Sequence, residues 1–380
     1  MPLTRRDFLR GLGAGGAALA ARPALGARGL EAARGLDLPR DTPIPAIRLD
    51  SNENPNGPAP AAIEAIKRSL GEASRYPDNP EDLLREALAK AHGVAPEWVL
   101  LGCGSTEILR VAVMAFGSAD RPLVTAAPTF EEPVRIARTL GVPVKEIPVD
   151  RAMGLDLDAM ARAAAPGAGI IFVCNPNNPT ATVHGARAID DFVVAVRRSA
   201  PKAVILLDEA YHEYVEDPSY ASAIPMLKND ARVMVARTFS KVHGLAGIRA
   251  GYAIAQPETI AAMRPYRLPS GISAAAGAAA VATLNAPAHT REEQRKNRET
   301  KAFTRAFFEG LGYTVGPSET NFIMADIRRD SRAFKAACLT DGVAIGRQFP
   351  PFLTHARISI GTMDEMRRAT RVFRKHLASA

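Results

Sequence analysis

Three short apolar runs in this sequence end in polar residues whose types and spacing can do chemistry. Ile170–Cys174 leads into Asn175-Pro-Asn-Asn178-Pro-Thr180. Asparagines bracketed by prolines make a rigid turn whose side-chain amides can face a ligand, although a structural turn alone also accounts for them. Val204–Leu207 ends in Asp208-Glu209-Ala210-Tyr211. A carboxylate at the end of a buried run is itself partly buried, and buried charge is costly unless paired, so Asp208 needs a cationic partner. Val233–Ala236 ends in Arg237-Thr238-Phe239-Ser240-Lys241, followed by Gly244, Gly247 and Arg249. That arrangement sets an amine for covalent chemistry beside donors suited to a phosphate. A fourth segment, Gly102-Cys103-Gly104-Ser105-Thr106-Glu107, opens a helix, with glycines for close backbone approach and Ser105 placed to cap it.

Together these four segments describe a site for pyridoxal 5′-phosphate. Lys241 makes a Schiff base, and Asp208 pairs with the pyridinium nitrogen so that the ring acts as an electron sink. Thr238, Ser240, Arg249 and the helix start at Gly104, Ser105 and Thr106 hold the phosphate. Arg347 follows another apolar run, in Ile345-Gly346-Arg347-Gln348. It either faces an acidic or phosphorylated side chain of the substrate or makes a surface salt bridge, and the residues leave both open. His243 is read as a packing or helix-start residue, because Lys241 already performs proton transfer in this chemistry. Cys103 and Cys174 are read as structural thiols. The seven histidines show no ligand spacing, so no metal site is expected.

The elements that must position these groups follow from the hydrophobic pattern. Short runs at Val99-Leu101, Leu123-Ala126, Val142-Ile147, Ile170-Cys174, Val204-Leu207, Val233-Ala236 and Arg249-Ile254 alternate with longer amphipathic segments. The fold class expected is α/β: a large domain with a mixed, mostly parallel sheet covered by helices, plus a smaller α+β domain. Asn79-Pro80-Glu81-Asp82 opens a helix that stops at Gly93. Beyond residue 270 come an Ala-rich segment (Ser273–Leu284), a long charged helix (Thr290–Gly310), strands at Asn321-Ile327, Val343-Ile345 and Arg357-Ile360, and a helix at Met363–Leu377. In open α/β sheets ligands sit outside the carboxyl ends of the strands, where loops distant in sequence converge.

With these residues in hand, the sequence resembles the fold-type I aminotransferases of class I/II, most closely the histidinol-phosphate aminotransferase branch. The likeness runs from Leu49 to the C-terminus through Leu49-Asp-Ser-Asn-Glu-Asn-Pro55, Arg75-Tyr76-Pro77, Gly102–Glu107, Asn175–Thr180, Asp208–Tyr211, Thr238–Arg249 and Arg357-Ile-Ser-Ile-Gly361. The resemblance implies a pyridoxal-phosphate-dependent aminotransferase that moves an amino group between an α-amino acid, or a histidinol-phosphate-like amine, and a 2-oxo acid. It implies that Lys241 shuttles the proton, with Asp208 and Tyr211 also catalytic, that Asn178 and Tyr211 bond the ring's 3′ oxygen, and that Phe130 stacks on the ring. It further implies that Arg357 clamps the α-carboxylate, that Asn54 of the N-terminal motif lies toward the substrate, and that Tyr76 reaches into the site of a second subunit, so a homodimer is expected. A decarboxylase or other lyase on an amino acid shares this fold and is the alternative. Two positions depart from the pattern. Ala181 stands where glycine is usual, which requires a negative φ there, and Asn56 stands where a substrate-contacting tyrosine is frequent.

The chain has 380 residues with 48 Lys+Arg against 40 Asp+Glu, and half of the resulting +8 falls within residues 1–40. There Thr4-Arg5-Arg6-Asp7-Phe8-Leu9-Arg10 precedes a Gly/Ala/Leu stretch and Arg22-Pro23-Ala24-Leu25-Gly26-Ala27. This is the layout of an export signal and resembles the twin-arginine motif. The expected organisation is a twin-arginine signal peptide at 1–27, an arm and part of the small domain at 28–75, the large cofactor-binding domain at 76–270 and the C-terminal small domain at 271–380. The enzyme is then expected in the periplasm, exported folded by the twin-arginine machinery. The basic excess is an address, so no nucleic-acid partner is expected. Export and Asn56 both bear against histidinol phosphate itself as the substrate.

Overall fold

The computed structural model describes residues 47–378. The signal expected at 1–27 lies outside them. Seven strands form the central sheet: β2 (Val99–Cys103), β3 (Leu123–Ala127), β4 (Val144–Pro148), β5 (Ile170–Cys174), β6 (Val204–Asp208), β7 (Val233–Thr238) and β8 (Ala250–Ala255), in the order β2-β8-β7-β6-β5-β3-β4. β4, β3, β5, β6 and β7 run parallel to one another, and β8 runs against both β7 and β2. This is the mixed, mostly parallel sheet the hydrophobic runs predict.

The continuous apolarity of the central strands has a simple cause. Along β5 and β6 every residue is buried, and alternate residues enter different cores: Ile171, Val173, Ile205 and Leu207 one, Ile170, Phe172, Val204 and Leu206 the other. A strand with helices on both faces has no polar side, so the period of two vanishes from its sequence.

A separate core is drawn from both ends of the described chain. β1 (Ile47–Leu49) pairs in parallel with β11 (Val343–Ile345), beside an antiparallel sheet of β9 (Thr314–Val315), β10 (Phe322–Asp326) and β12 (His355–Ser359). Their shared core includes Leu49, Phe308, Ile323, Phe334, Ile358 and Phe373.

Two helices pack differently from a division of the chain at residues 75 and 271. Pro60–Ser69 and the Ala-rich Ala274–Leu284 lie against each other, and Ala62, Ala276, Ala279 and Ala280 enter the core of the large sheet. An almost uniformly small, apolar helix presents no stripe, so its pattern does not say which sheet it covers. The helix Asp78–His92 starts one residue before Asn79, with Pro77 rather than Asn79 at its N-cap, and stops at Gly93 in the left-handed region. No helix among the described residues is long and apolar enough to cross a membrane.

Candidate active site

The carboxyl ends of β3, β5, β6 and β7 open onto a cleft of about 1450 Å³ between the large sheet and the β11–β12 segment. Lys241, Asp208, Tyr211, Asn178, Phe130, Ser105, Thr106, Thr238, Ser240, Arg249, Arg347 and Arg357 all border it, so nearly every residue singled out above converges there. Parallel strands bring this about by ending their polar turns at one edge.

Asp208, at the end of β6, is buried, and its Oδ1 has no hydrogen-bond partner in the protein. Burial raises its carboxyl to about 7, against the opposing pull of a backbone N–H and the Lys241 charge. The cationic partner expected for Asp208 is not a side chain: among the described residues no cation pairs with it, and the buried ion pair belongs to its neighbour. Glu209 accepts from Arg237 Nε at 3.0 Å and Nη2 at 2.7 Å, and also from Ser222 Oγ and the Ala223 N–H.

Lys241 donates its Nζ to the carbonyl of Asn52 at 3.1 Å. Burial, then the positive charge of Arg357, lower its ammonium to about 8, so it gives up its proton more readily than an ordinary lysine. Tyr211 is buried, lies edge-on to Phe322, and accepts at Oη from Asn52 Nδ2 at 3.1 Å. Burial pushes its phenol above the ordinary range.

The phosphate side is shaped by glycine. Gly104, at φ +74°, caps the helix Ser105–Phe116, and a Cβ there would lie 2.2 Å from Arg249 Nη2. Only a residue without a side chain lets the guanidinium come over the helix start. Ser105 therefore begins the helix and does not cap it, and no side-chain cap is present. The first N–H groups of a helix are left to a ligand, an anion site by geometry and dipole. Arg249 Nη1 donates to Ser240 Oγ at 3.3 Å and to Ala246 O at 2.8 Å, while Thr238 Oγ1 accepts from the Ser240 N–H at 3.0 Å.

Arg357 is buried on β12 and donates from Nη1 to Asn178 Oδ1 at 2.8 Å and from Nη2 to the Asp50 carbonyl at 2.5 Å. Its guanidinium lies 4.8 Å from the Phe349 ring centre, and burial lowers its pKa to about 10. No carboxylate among the described residues pairs with it, and its Nε has no acceptor. Arg347 combines the two readings offered for it: it borders the cleft, and its Nη2 pairs with Glu131 Oε1 at 2.5 Å.

Several expectations change. Asn54 is outside the cleft wall; its Nδ2 donates to Val242 O at 2.8 Å and it borders a separate cavity of about 230 Å³. The residue of that motif that serves the site is Asn52, which sequence reasoning missed. It is 1% exposed at φ +54°, bonds Tyr211, and exchanges hydrogen bonds with Ser359. An Asn tolerating a left-handed backbone inside a polar run was the available signal. Ala181 sits at φ +63°, not at a negative angle, so it occupies a glycine conformation at a cost. Tyr76 is 83% exposed and does not border the cleft of its own chain. His243 packs on Phe239 and approaches Glu213 at 3.5 Å, the packing role expected. Cys174 is buried, which pushes its thiol up, and the described residues contain no group that could hold a metal.

Pyridoxal 5′-phosphate fits these residues. Asp208 offers an unpartnered buried oxygen to a ring nitrogen, Gly104 and Arg249 make an anion cradle that a Cβ would fill, and Lys241 lies on the same cleft. Residues 44–373 match the family described as aminotransferase class I and II. The chain belongs to that family. It is 38% identical over 335 residues to a histidinol-phosphate aminotransferase of Moorella thermoacetica, covering 87% of this chain and 86% of that protein. An aromatic amino acid aminotransferase of Nocardia farcinica is 37% identical over 324 residues, 84% and 88% of the two chains. The crystal structure of the Sinorhizobium meliloti histidinol-phosphate aminotransferase in complex with pyridoxal-5′-phosphate superposes with a TM-score of 0.81 at 27% identity, over 88% of this chain and 91% of that one. The protein is a pyridoxal-phosphate-dependent aminotransferase.

Proposed function

We propose that this aminotransferase moves an amino group between an α-amino acid and a 2-oxo acid, with Arg357 holding the α-carboxylate of both. The observation that carries this reading is the state of Arg357: a buried guanidinium with no carboxylate partner, a Nε without an acceptor, and two fixed anchors in Asn178 and Asp50. A buried cation without a counter-charge is costly, and a planar fork matches a carboxylate bidentately. Asn56, where a substrate-contacting tyrosine is frequent in the family, donates to Glu293 at 2.7 Å and does not border the cleft. That supports an amino acid as the donor.

When bound, pyridoxal phosphate supplies an electron sink for the pair released at the substrate's α-carbon. The chain's own groups do the rest. Lys241 Nζ, with its lowered pKa, takes the α-proton and returns it. Asp208 would hold positive charge at the ring nitrogen, and Tyr211 and Asn178 would orient the ring's oxygen. Ser105, Thr106, Ser240, Thr238 and Arg249 would retain the phosphate and Phe130 would border the ring, since all line the cleft. The exposure of Tyr76 supports a homodimer in which it serves the partner's site. The arginine-led segment at 1–27 supports export through the twin-arginine pathway to the periplasm.

The test is a panel of amino acids scored by half-reaction spectra on the holoenzyme, with histidinol phosphate included. Arg357→Lys should lower kcat/KM for α-amino acids by roughly 10-fold to 100-fold, mainly through KM, the magnitude of a charged hydrogen-bond pair. An unchanged KM for every amino acid would overturn the reading.

A further inference from the structure

Arg347 and Glu131 come from segments far apart in the chain and meet at the cleft. Arg347 follows β11, and Glu131 directly follows Phe130 in the loop after β3. We propose that Glu131 is an internal stand-in for a substrate's side-chain anion, occupying Arg347 when the side chain is neutral and yielding it when the side chain is acidic. The inference rests on the reading that Arg357 takes the α-carboxylate.

Four observations carry it. Arg347 is held over the Phe349 ring at 4.0 Å, and the same ring carries Arg357 at 4.8 Å. The two guanidinium groups are thus fixed relative to each other through one aromatic ring, as two ends of a short dicarboxylic substrate require. The side chains of Arg347 and Glu131 are 45% and 69% exposed, and exposed ion pairs are weak, so a ligand already anchored at Arg357 can displace the carboxylate. The neighbouring acids are committed elsewhere: Glu132 is held by Arg110 and Arg135, and Glu146 by Arg138. Glu131 is therefore the anion that covers Arg347 in the free enzyme, and being on an exposed loop it can turn to solvent when replaced. With a neutral side chain in the cleft, Glu131 keeps Arg347 from lying uncompensated beside apolar surface.

The test titrates the holoenzyme calorimetrically with succinate, a non-reacting dicarboxylate, and with butyrate, a monocarboxylate of similar length. Glu131→Gln should tighten succinate by roughly twofold to fivefold, the range of an exposed ion pair removed from competition, and leave butyrate unchanged. Arg347→Met should weaken succinate to the level of butyrate. In the half-reaction, Glu131→Gln should raise kcat/KM for glutamate relative to leucine by a similar factor. Succinate binding unchanged or weakened in Glu131→Gln would overturn the proposal, as would equal changes for both ligands. Butyrate affinity that survives in Arg357→Lys would instead break the underlying α-carboxylate reading, so the two failures are separable. Circular dichroism of each variant checks that it is folded.

Discussion

Asp208 and Glu209 are adjacent at the end of β6, both 3% exposed, and meet opposite electrostatic fates. Glu209 is saturated by Arg237, Ser222 and a backbone N–H, away from the cleft. Asp208 faces the cleft with one oxygen unpartnered and its carboxyl raised to about 7. A charge that serves the fold has its partner built into the chain. A charge that serves a ligand is left waiting, at the expense of the free protein's stability. Arg357 repeats the second pattern, and Lys241, lowered to about 8, is the base made available by the same burial.

This contrast can be broken by removing each charge in turn. Arg237→Met leaves Glu209 buried and unpaired, and should cost about 3–5 kcal/mol in urea denaturation, whereas replacing both partners with Met should recover most of that loss. A single variant as stable as the wild type would mean that Glu209 is not the structural member of the pair. Asp208→Asn should behave oppositely. Turnover should fall by about 10²–10³-fold, the usual effect of deleting a preorganised electrostatic group, while the apoenzyme should become more stable. The sign follows from protonation: with its pKa raised from 3.8 to about 7, the folded state binds the proton more tightly than the unfolded chain. Wild-type stability is therefore lost as pH rises from about 4 to about 7 and then levels off. The gain in Asp208→Asn should grow over that window to on the order of 1–3 kcal/mol at pH 8, read from denaturation at several pH values. A gain independent of pH would refute the account. The smallest effect concerns the turn beside Asn178: Ala181→Gly should stabilise by about 0.5–1 kcal/mol by relieving its positive φ, measured by thermal unfolding.

Much of this was legible because local chemistry leaves local marks. The apolar runs of β5 and β6, Gly93 ending its helix and Lys241 among phosphate donors are short-range patterns. So is Gly104, since a glycine before a helix start announces close approach. What escaped depended on contacts far along the chain. Asn54 and Asn52 are two residues apart in one polar run, yet their backbone path turns Asn52 to Tyr211 and Ser359 and Asn54 to Val242. The alanines of Ala274–Leu284 gave no face to follow. Asp208 was read as needing a positive partner and given one on the cofactor, but that its buried Oδ1 has no hydrogen-bond partner in the protein is a fact of packing that residue types do not carry.

By itself the sequence determined the class of fold and the cofactor, because strand runs ending in polar turns and a lysine among phosphate donors are sufficient constraints on each, whereas the reaction came from the family, since lyases share the same cofactor residues. Only the tertiary structure decided which of two adjacent acids is satisfied, that Asn52 supports the site and that Glu131 meets Arg347 across it. Those are pairings between distant segments, set by how the strands and helices pack in three dimensions, and no spacing along the chain encodes them.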